Sequence, residues 1–276
     1  MNPPIRHLVP TRFGQIHLRE AGRGPAIALM HINQQSSALY LELMAELAPA
    51  HRVVAIDYPS HGMSDPIAFQ PSIGDYAEVV VAVMQALGIS RFTALGEATG
   101  AAVAIELGVS HADRIEAVVL LNCPYYRDRK QAHDVHAPLK NDLRPADASG
   151  FPMTRTLDFM RERDPSHAPL NPDQSWMDRI NRAQIEAGRN RWQALDALNA
   201  YDIGAGMERL QRDTLLLMGE HFHYTGLMDE YRRRLPRLVA GEVVKEARFC
   251  MGWEKASEVG ARVRAFLADR GREAAA

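Results

Sequence analysis

The sequence predicts an α/β fold: a doubly wound, mostly parallel sheet with helices on both faces and an inserted helical unit. Three observations carry that reading. Short apolar runs recur along the chain, amphipathic stretches alternate with them, and one long segment breaks the alternation.

The runs Ala26–Met30, Val53–Ile56, Ala117–Leu121 and Thr214–Met218 stop at His31, Asp57, Asn122 and Gly219. Runs this short and this uniformly apolar suit strands buried on both faces. Phe92–Leu95, stopped by Gly96, joins them. Between the runs, residues 72–87 open on Ser72 and Asp75 and close at Gly88, with Ile73, Tyr76, Val80, Val83, Met84 and Leu87 at helical spacing. Ser at the start and Gly at the end are the expected helix boundaries. Residues 99–109 and 255–268 read the same way.

Residues 124–205 carry Trp176 and Trp192, are rich in Asp, Arg, Pro and His, and contain no comparable run. Helical periodicity returns there at 153–163, 174–187 and 189–200. The expected organisation is a core of residues 1–123 and 206–276, interrupted by a helical cap over 124–205.

Composition narrows the function. The chain has 276 residues, 46% apolar and 24% charged, with 32 Lys+Arg against 34 Asp+Glu for a formal charge of −2. That balance gives no electrostatic reason to expect nucleic acid or an anionic membrane as partner. No apolar run approaches the roughly 18 residues that span a bilayer. Met1–His7 lacks the apolar stretch of a secretory signal. Two cysteines cannot build a disulfide framework, so reduced thiols in a cytoplasmic protein are the expectation. No Gly-rich dinucleotide loop is present, and no organic cofactor or metal is expected.

Several segments resemble the α/β-hydrolase superfamily. Ala94-Leu95-Gly96-Glu97-Ala98-Thr99-Gly100-Ala101 resembles its G-x-S-x-G nucleophile elbow. Asp57-Tyr58-Pro59-Ser60-His61-Gly62-Met63-Ser64-Asp65 is similar to its D-x-P-x-x-G-x-S loop, and Leu29-Met30-His31 to the start of its H-G oxyanion loop. Leu215–Glu220 resembles the strand before its acid loop, and Ala261–Leu267 its last helix. The resemblance implies the fold just derived, with the cap where such proteins carry one.

Every catalytic position departs from that pattern. The nucleophile slot is Ala98, and a methyl group cannot attack a carbonyl. The acid slot, three residues after Gly219, is Phe222. Where the general-base His should fall stands Arg248-Phe249-Cys250-Met251-Gly252-Trp253-Glu254, and the last of the eleven histidines is His223. A Ser-His-Asp mechanism is unavailable to this chain.

The residues left to carry chemistry are few. Glu97 beside the empty slot reads either as a carboxylate base or as a buttress of the turn. His31 reads as loop support or as a proton carrier. His221 and His223 form an H-x-H pair on the acid loop, as displaced acid or base or as surface residues; a metal there needs a third ligand that the sequence does not place. Ile32 and Thr99 offer backbone N–H groups for an oxyanion, with Ala98 and Cys123 beside them at the carboxyl edge of the sheet, where open α/β sheets bind ligands.

The leading expectation is action on a small carbonyl-type molecule by a serine-independent acid/base step, hydrolase- or lyase-like. Its catalytic residues would be Glu97, His31, His221 and His223. The rival is a catalytically inactive relative that binds or senses a small molecule. In either case the partner is a small-molecule ligand or substrate, and the sequence leaves room for a homo-oligomer.

Overall fold

The computed structural model describes residues 3–126, 130, 131, 134 and 174–275. Eight strands form one sheet: β1 Ile5–Thr11, β2 Gly14–Ala21, β3 Ala26–Met30, β4 Arg52–Ile56, β5 Phe92–Glu97, β6 Ile115–Leu121, β7 Thr214–Gly219 and β8 Leu238–Val244. The described α-helices are α1 Leu41–Leu47, α2 Ile73–Ala86, α3 Thr99–Ser110, α4 Gln174–Ala187, α5 Gln193–Ala200, α6 Ile203–Arg209, α7 Met228–Arg234, α8 Met251–Glu254 and α9 Ala256–Ala275.

The strand order is β1-β2-β4-β3-β5-β6-β7-β8. Only the β1–β2 and β2–β4 pairs are antiparallel; from β4 through β8 the sheet is parallel. Parallel strands need crossovers, and the helices supply them on both faces. One core cluster holds Tyr76, Val80 and Met84 of α2, Val103 and Leu107 of α3, and Leu195 and Leu198 of α5. The opposite cluster holds Leu43 and Met44 of α1 with Val259 and Val263 of α9.

All five predicted strands are present, and each is almost wholly buried. Helix α2 starts where Ser72 predicts. The Ser72 hydroxyl accepts from Asp75 N–H, and the Asp75 carboxylate accepts from Ser72 N–H, a reciprocal capping box. Gly88, at φ +71°, provides the left-handed residue that ends the helix.

The hairpin β1–β2 and the strand β8 were not predicted, for one reason. They lie at the sheet edges, where exposure replaces a uniform apolar run with a mixed pattern. In the segment read as a cap, α4 spans the predicted 174–187. The predicted 189–200 helix is two pieces, a 3₁₀ turn at Gly188–Asn190 and then α5. The 153–163 prediction lies outside the described residues. No helix among the described residues is long and apolar enough to cross a membrane.

The β5–α3 turn depends on two glycines. A Cβ on Gly96 would lie 2.0 Å from the Gly100 carbonyl oxygen, and one on Gly100 would lie 2.0 Å from the Met30 carbonyl oxygen. Backbone cannot yield as a side-chain tip can, so the start of α3 packs against β3 only if both Cβ atoms are missing. Gly100→Ala is therefore expected to destabilise the protein by about 3 kcal/mol or to prevent its folding, measured by urea unfolding.

Candidate functional site

The site is a backbone feature before it is a set of side chains. Among the described residues, six non-glycines have positive φ: Gln34, Ser60, Ala98, Asn122, Glu246 and Cys250. All six lie on the segments that follow the carboxyl ends of β3, β4, β5, β6 and β8. Strain of this kind persists only where surrounding structure enforces it, and it gathers at functional sites. Ala98 carries φ +49° and ψ −108°, far from any well favoured by an L-residue. The sharp strand-to-helix elbow is kept, with a methyl group in the nucleophile position.

Beside that elbow, the amides of Ile32 and Thr99 have no hydrogen-bond acceptor among the described residues. The Gly100–Met30 approach brings their two segments together. Thr99 also opens the twelve-residue helix α3, whose N-terminus carries partial positive charge. A carbonyl or carboxylate oxygen is the natural partner of such a pair.

Glu97, the last residue of β5, is fully buried. Its carboxylate accepts hydrogen bonds from Asn122 Nδ2 at 2.9 Å, Met251 N–H at 2.9 Å and Gly252 N–H at 3.3 Å. Burial pushes its pKa above the ordinary range, while the donors from Met251, Asn122, Gly252 and Cys250 hold it down. Asn122 is the hub of this network. Its Nδ2 also donates to the Arg248 carbonyl at 2.7 Å, and its Oδ1 accepts from Gly219 N–H at 2.8 Å. One amide and one carboxylate thus tie together the ends of β5, β6 and β7 and the 248–252 segment.

His31 is equally occupied. Its Nδ1–H donates to the Ile32 carbonyl at 2.7 Å, and its Nε2 accepts from Tyr58 N–H at 3.2 Å. Those partners fix the neutral tautomer. Protonating Nε2 would set one donor against another, and burial with the neighbouring His61 pushes the pKa down to about 3. His61 packs 5.6 Å from His31, ring centre to ring centre, and donates from Nδ1 to the Pro59 carbonyl at 3.0 Å.

A second buried carboxylate, Asp57, accepts from His17 Nδ1 at 2.8 Å, Ser37 N–H at 2.5 Å and Met63 N–H at 3.0 Å. Burial alone would raise its pKa; the His17 hydrogen bond and charge, with the other donors, bring it below the ordinary carboxylate range.

Phe222, three residues after Gly219, is buried and meets Phe249 edge-to-face at 5.0 Å between ring centres. Phe249 belongs to the Arg248–Glu254 segment, which holds no histidine.

The remaining predicted residues divide in two. Cys123 is fully buried, and burial raises its thiol pKa out of the reactive range. His223 is exposed and packs against Phe222, Tyr224 and Phe249. His221, half-buried, shares the edge with Glu220 and Glu246, their ligand atoms within 4.8 Å of one another. Both glutamates are exposed to water, and we assign no ion there. Glu97, Ala98 and Thr99 are thus adjoined by the His31–Ile32 segment, whereas His221 and His223 belong to the edge formed by the β7 and β8 loops.

Sequence reasoning did not identify three contributors: the Asn122 hub, the Met251 and Gly252 amides, and the His17–Asp57 pair. Asn122 was visible only as a strand end that cannot ionise. Its partners Gly219 and Arg248 lie 97 and 126 positions away along the chain.

With this geometry in hand, comparison with known proteins defines the class. Residues 25–256 match the family model of the alpha/beta hydrolase fold. The chain belongs to that family. It is 36% identical over 110 residues to haloalkane dehalogenase 2 of Mycobacterium tuberculosis, a stretch covering 40% of this chain and 38% of that protein. It is 28% identical over 113 residues to a 2-hydroxy-6-oxononadienedioate/2-hydroxy-6-oxononatrienedioate hydrolase of a Pseudomonas species, covering 39% and 40% of the two chains. The matched stretches thus span about two fifths of the length of these curated relatives. Among solved structures, the enol-lactonase of Burkholderia xenovorans superposes with a TM-score of 0.74 at 21% identity, covering 96% of this chain and 100% of that one. At that identity the likeness concerns the fold.

The buried neutral His31 has a consequence for stability. Its folded pKa of about 3 lies below the ordinary histidine value of 6.5, so the unfolded chain binds the extra proton. The stability this gives is present above pH 6.5 and is lost as pH falls toward 3. In His31→Gln, the fall in unfolding free energy between pH 6.5 and 5 should be shallower by up to about 1.4 kcal/mol per pH unit. Urea titrations of both proteins across that range check it; parallel slopes would contradict it.

Proposed function

We propose that this chain is a small-molecule-binding member of the α/β-hydrolase family, holding a carbonyl or carboxylate group on the Ile32 and Thr99 amides without covalent chemistry. The observation that carries this reading is the Phe222–Phe249 edge-to-face pair, read as filling the acid and base positions, together with an elbow that has Ala98 where the family's nucleophile would stand. The strained backbone and the oxyanion donors support binding. The apolar pair supports the absence of proton transfer, because neither ring can accept or deliver a proton.

A second reading is favoured by the relatives, which are named as a haloalkane dehalogenase and a hydrolase, and by the raised pKa of Glu97. Here Glu97, with His31, His221 or His223, would move a proton during hydrolysis or a lyase step on a carbonyl compound. The network around Glu97 weighs against it, since three of the protein's own donors engage that carboxylate.

A panel of esters, lactones and thioesters, tested on the parent protein and on Glu97→Gln, separates the two. The binding reading expects no turnover by either protein. It also expects carboxylate products from the panel to raise the parent's melting temperature in proportion to their occupancy. Turnover by the parent that Glu97→Gln abolishes would establish the second reading instead.

A further inference from the structure

The edge hairpin carries a charge arrangement that its own residues do not balance. In the β1–β2 ladder, Arg6 stands directly opposite Arg19. Like charges at directly opposed positions destabilise a hairpin, and most sequences avoid them. Arg6 is exposed and Arg19 is half-buried. The Nε of Arg19 is shut off from water and has no hydrogen-bond partner, and no carboxylate among the described residues pairs with either guanidinium.

A third arginine adds to the excess. Helix α4 brings Arg182 and Glu186 into the field of Arg19. Glu186 is already ion-paired to Arg182 at 2.7 Å. Asp57, which also acts on Arg19, has its oxygens occupied by His17, Ser37 and Met63. The opposed Arg6 and Arg19 therefore stand without a free carboxylate of their own among the described residues. Burial, with Arg6 and Arg182 nearby, draws Arg19 below the ordinary guanidinium range, so the arrangement costs stability as it stands.

Apolar surface borders the patch. Leu8, two residues from Arg6 on the same face of β1, is 56% exposed.

We propose that the opposed Arg6 and Arg19 form an anion site for a phosphoryl group, separate from the elbow. A phosphate matches the planar, multiply donating guanidinium better than a single point charge does, and it would neutralise the opposed Arg6–Arg19 pair. The flanking Leu8 suits an apolar part on the molecule that carries the phosphate. The source is a soluble phosphate ester or a phospholipid headgroup; the recognised chemistry is the same.

The test uses inorganic phosphate on the full chain. Phosphate should raise the melting temperature more than sodium chloride of equal ionic strength does. Isothermal titration should show affinity weakened about tenfold or more in Arg19→Gln. Arg6→Gln removes the opposed charge without touching the buried position. It should be more stable than the parent in phosphate-free buffer and should lose most of the phosphate-dependent gain.

Flotation with phosphatidylglycerol and phosphatidylcholine vesicles separates the sources. Retention on phosphatidylglycerol alone, displaced by free phosphate, identifies a headgroup, and no retention identifies a soluble ester. Equal responses to phosphate and chloride, or an undiminished phosphate response in Arg6→Gln and Arg19→Gln, would overturn the proposal.

Discussion

The buried carboxylate of Glu97 is the constraint on which the carboxyl edge of this sheet depends. A carboxylate removed from water needs several donors, and here they come from distant parts of the chain. Asn122 closes β6 against β5, and the Met251 and Gly252 amides bring the 248–252 segment onto the elbow. Removing the carboxylate would leave those donors buried without acceptors, at about 1–3 kcal/mol for each orphaned group. Those donors give Glu97 a structural task at the position that invites a catalytic reading.

Asp57 does the same work one loop away. It gathers β2 through His17, the 3₁₀ turn after β3 through Ser37, and its own loop through Met63. Both carboxylates are thus engaged by loop backbone, and His31 is held neutral between two main-chain groups. The turn keeps its strained residue at Ala98, the two glycines that permit it, and the positive end of α3. In the reading proposed above, the Phe222–Phe249 pair stands where proton-transferring side chains would be.

The buried parallel strands were legible in the sequence because burial on both faces writes an uninterrupted apolar run, as in Ala26–Met30. Helix α2 was legible because its cap is local: Ser72 and Asp75 lie three residues apart. The edge strands were not, since Ile5–Thr11 and Leu238–Val244 mix exposed and buried positions without a clean alternation. At the site, the sequence shows which residue types fill the slots, Ala98 and Phe222 among them. It does not show side-chain direction, which depends on partners far along the chain. Glu97 reads equally well as base or buttress until Asn122 and Met251 are seen beside it, and Phe249 stands out from its neighbours only through its contact with Phe222.

The most direct measurement is esterase activity after the missing groups are put back. If the backbone of a hydrolytic site is intact and only its proton-transferring side chains are gone, the triple substitution Ala98→Ser, Phe222→Asp and Phe249→His should create p-nitrophenyl acetate turnover. We expect a rate at least about a hundredfold above the parent, with a dependence on an ionising imidazole, while each single substitution stays near the parent's rate. A parent that already turns over such esters at an enzymatic rate would contradict the account. So would a correctly folded triple variant with no gain.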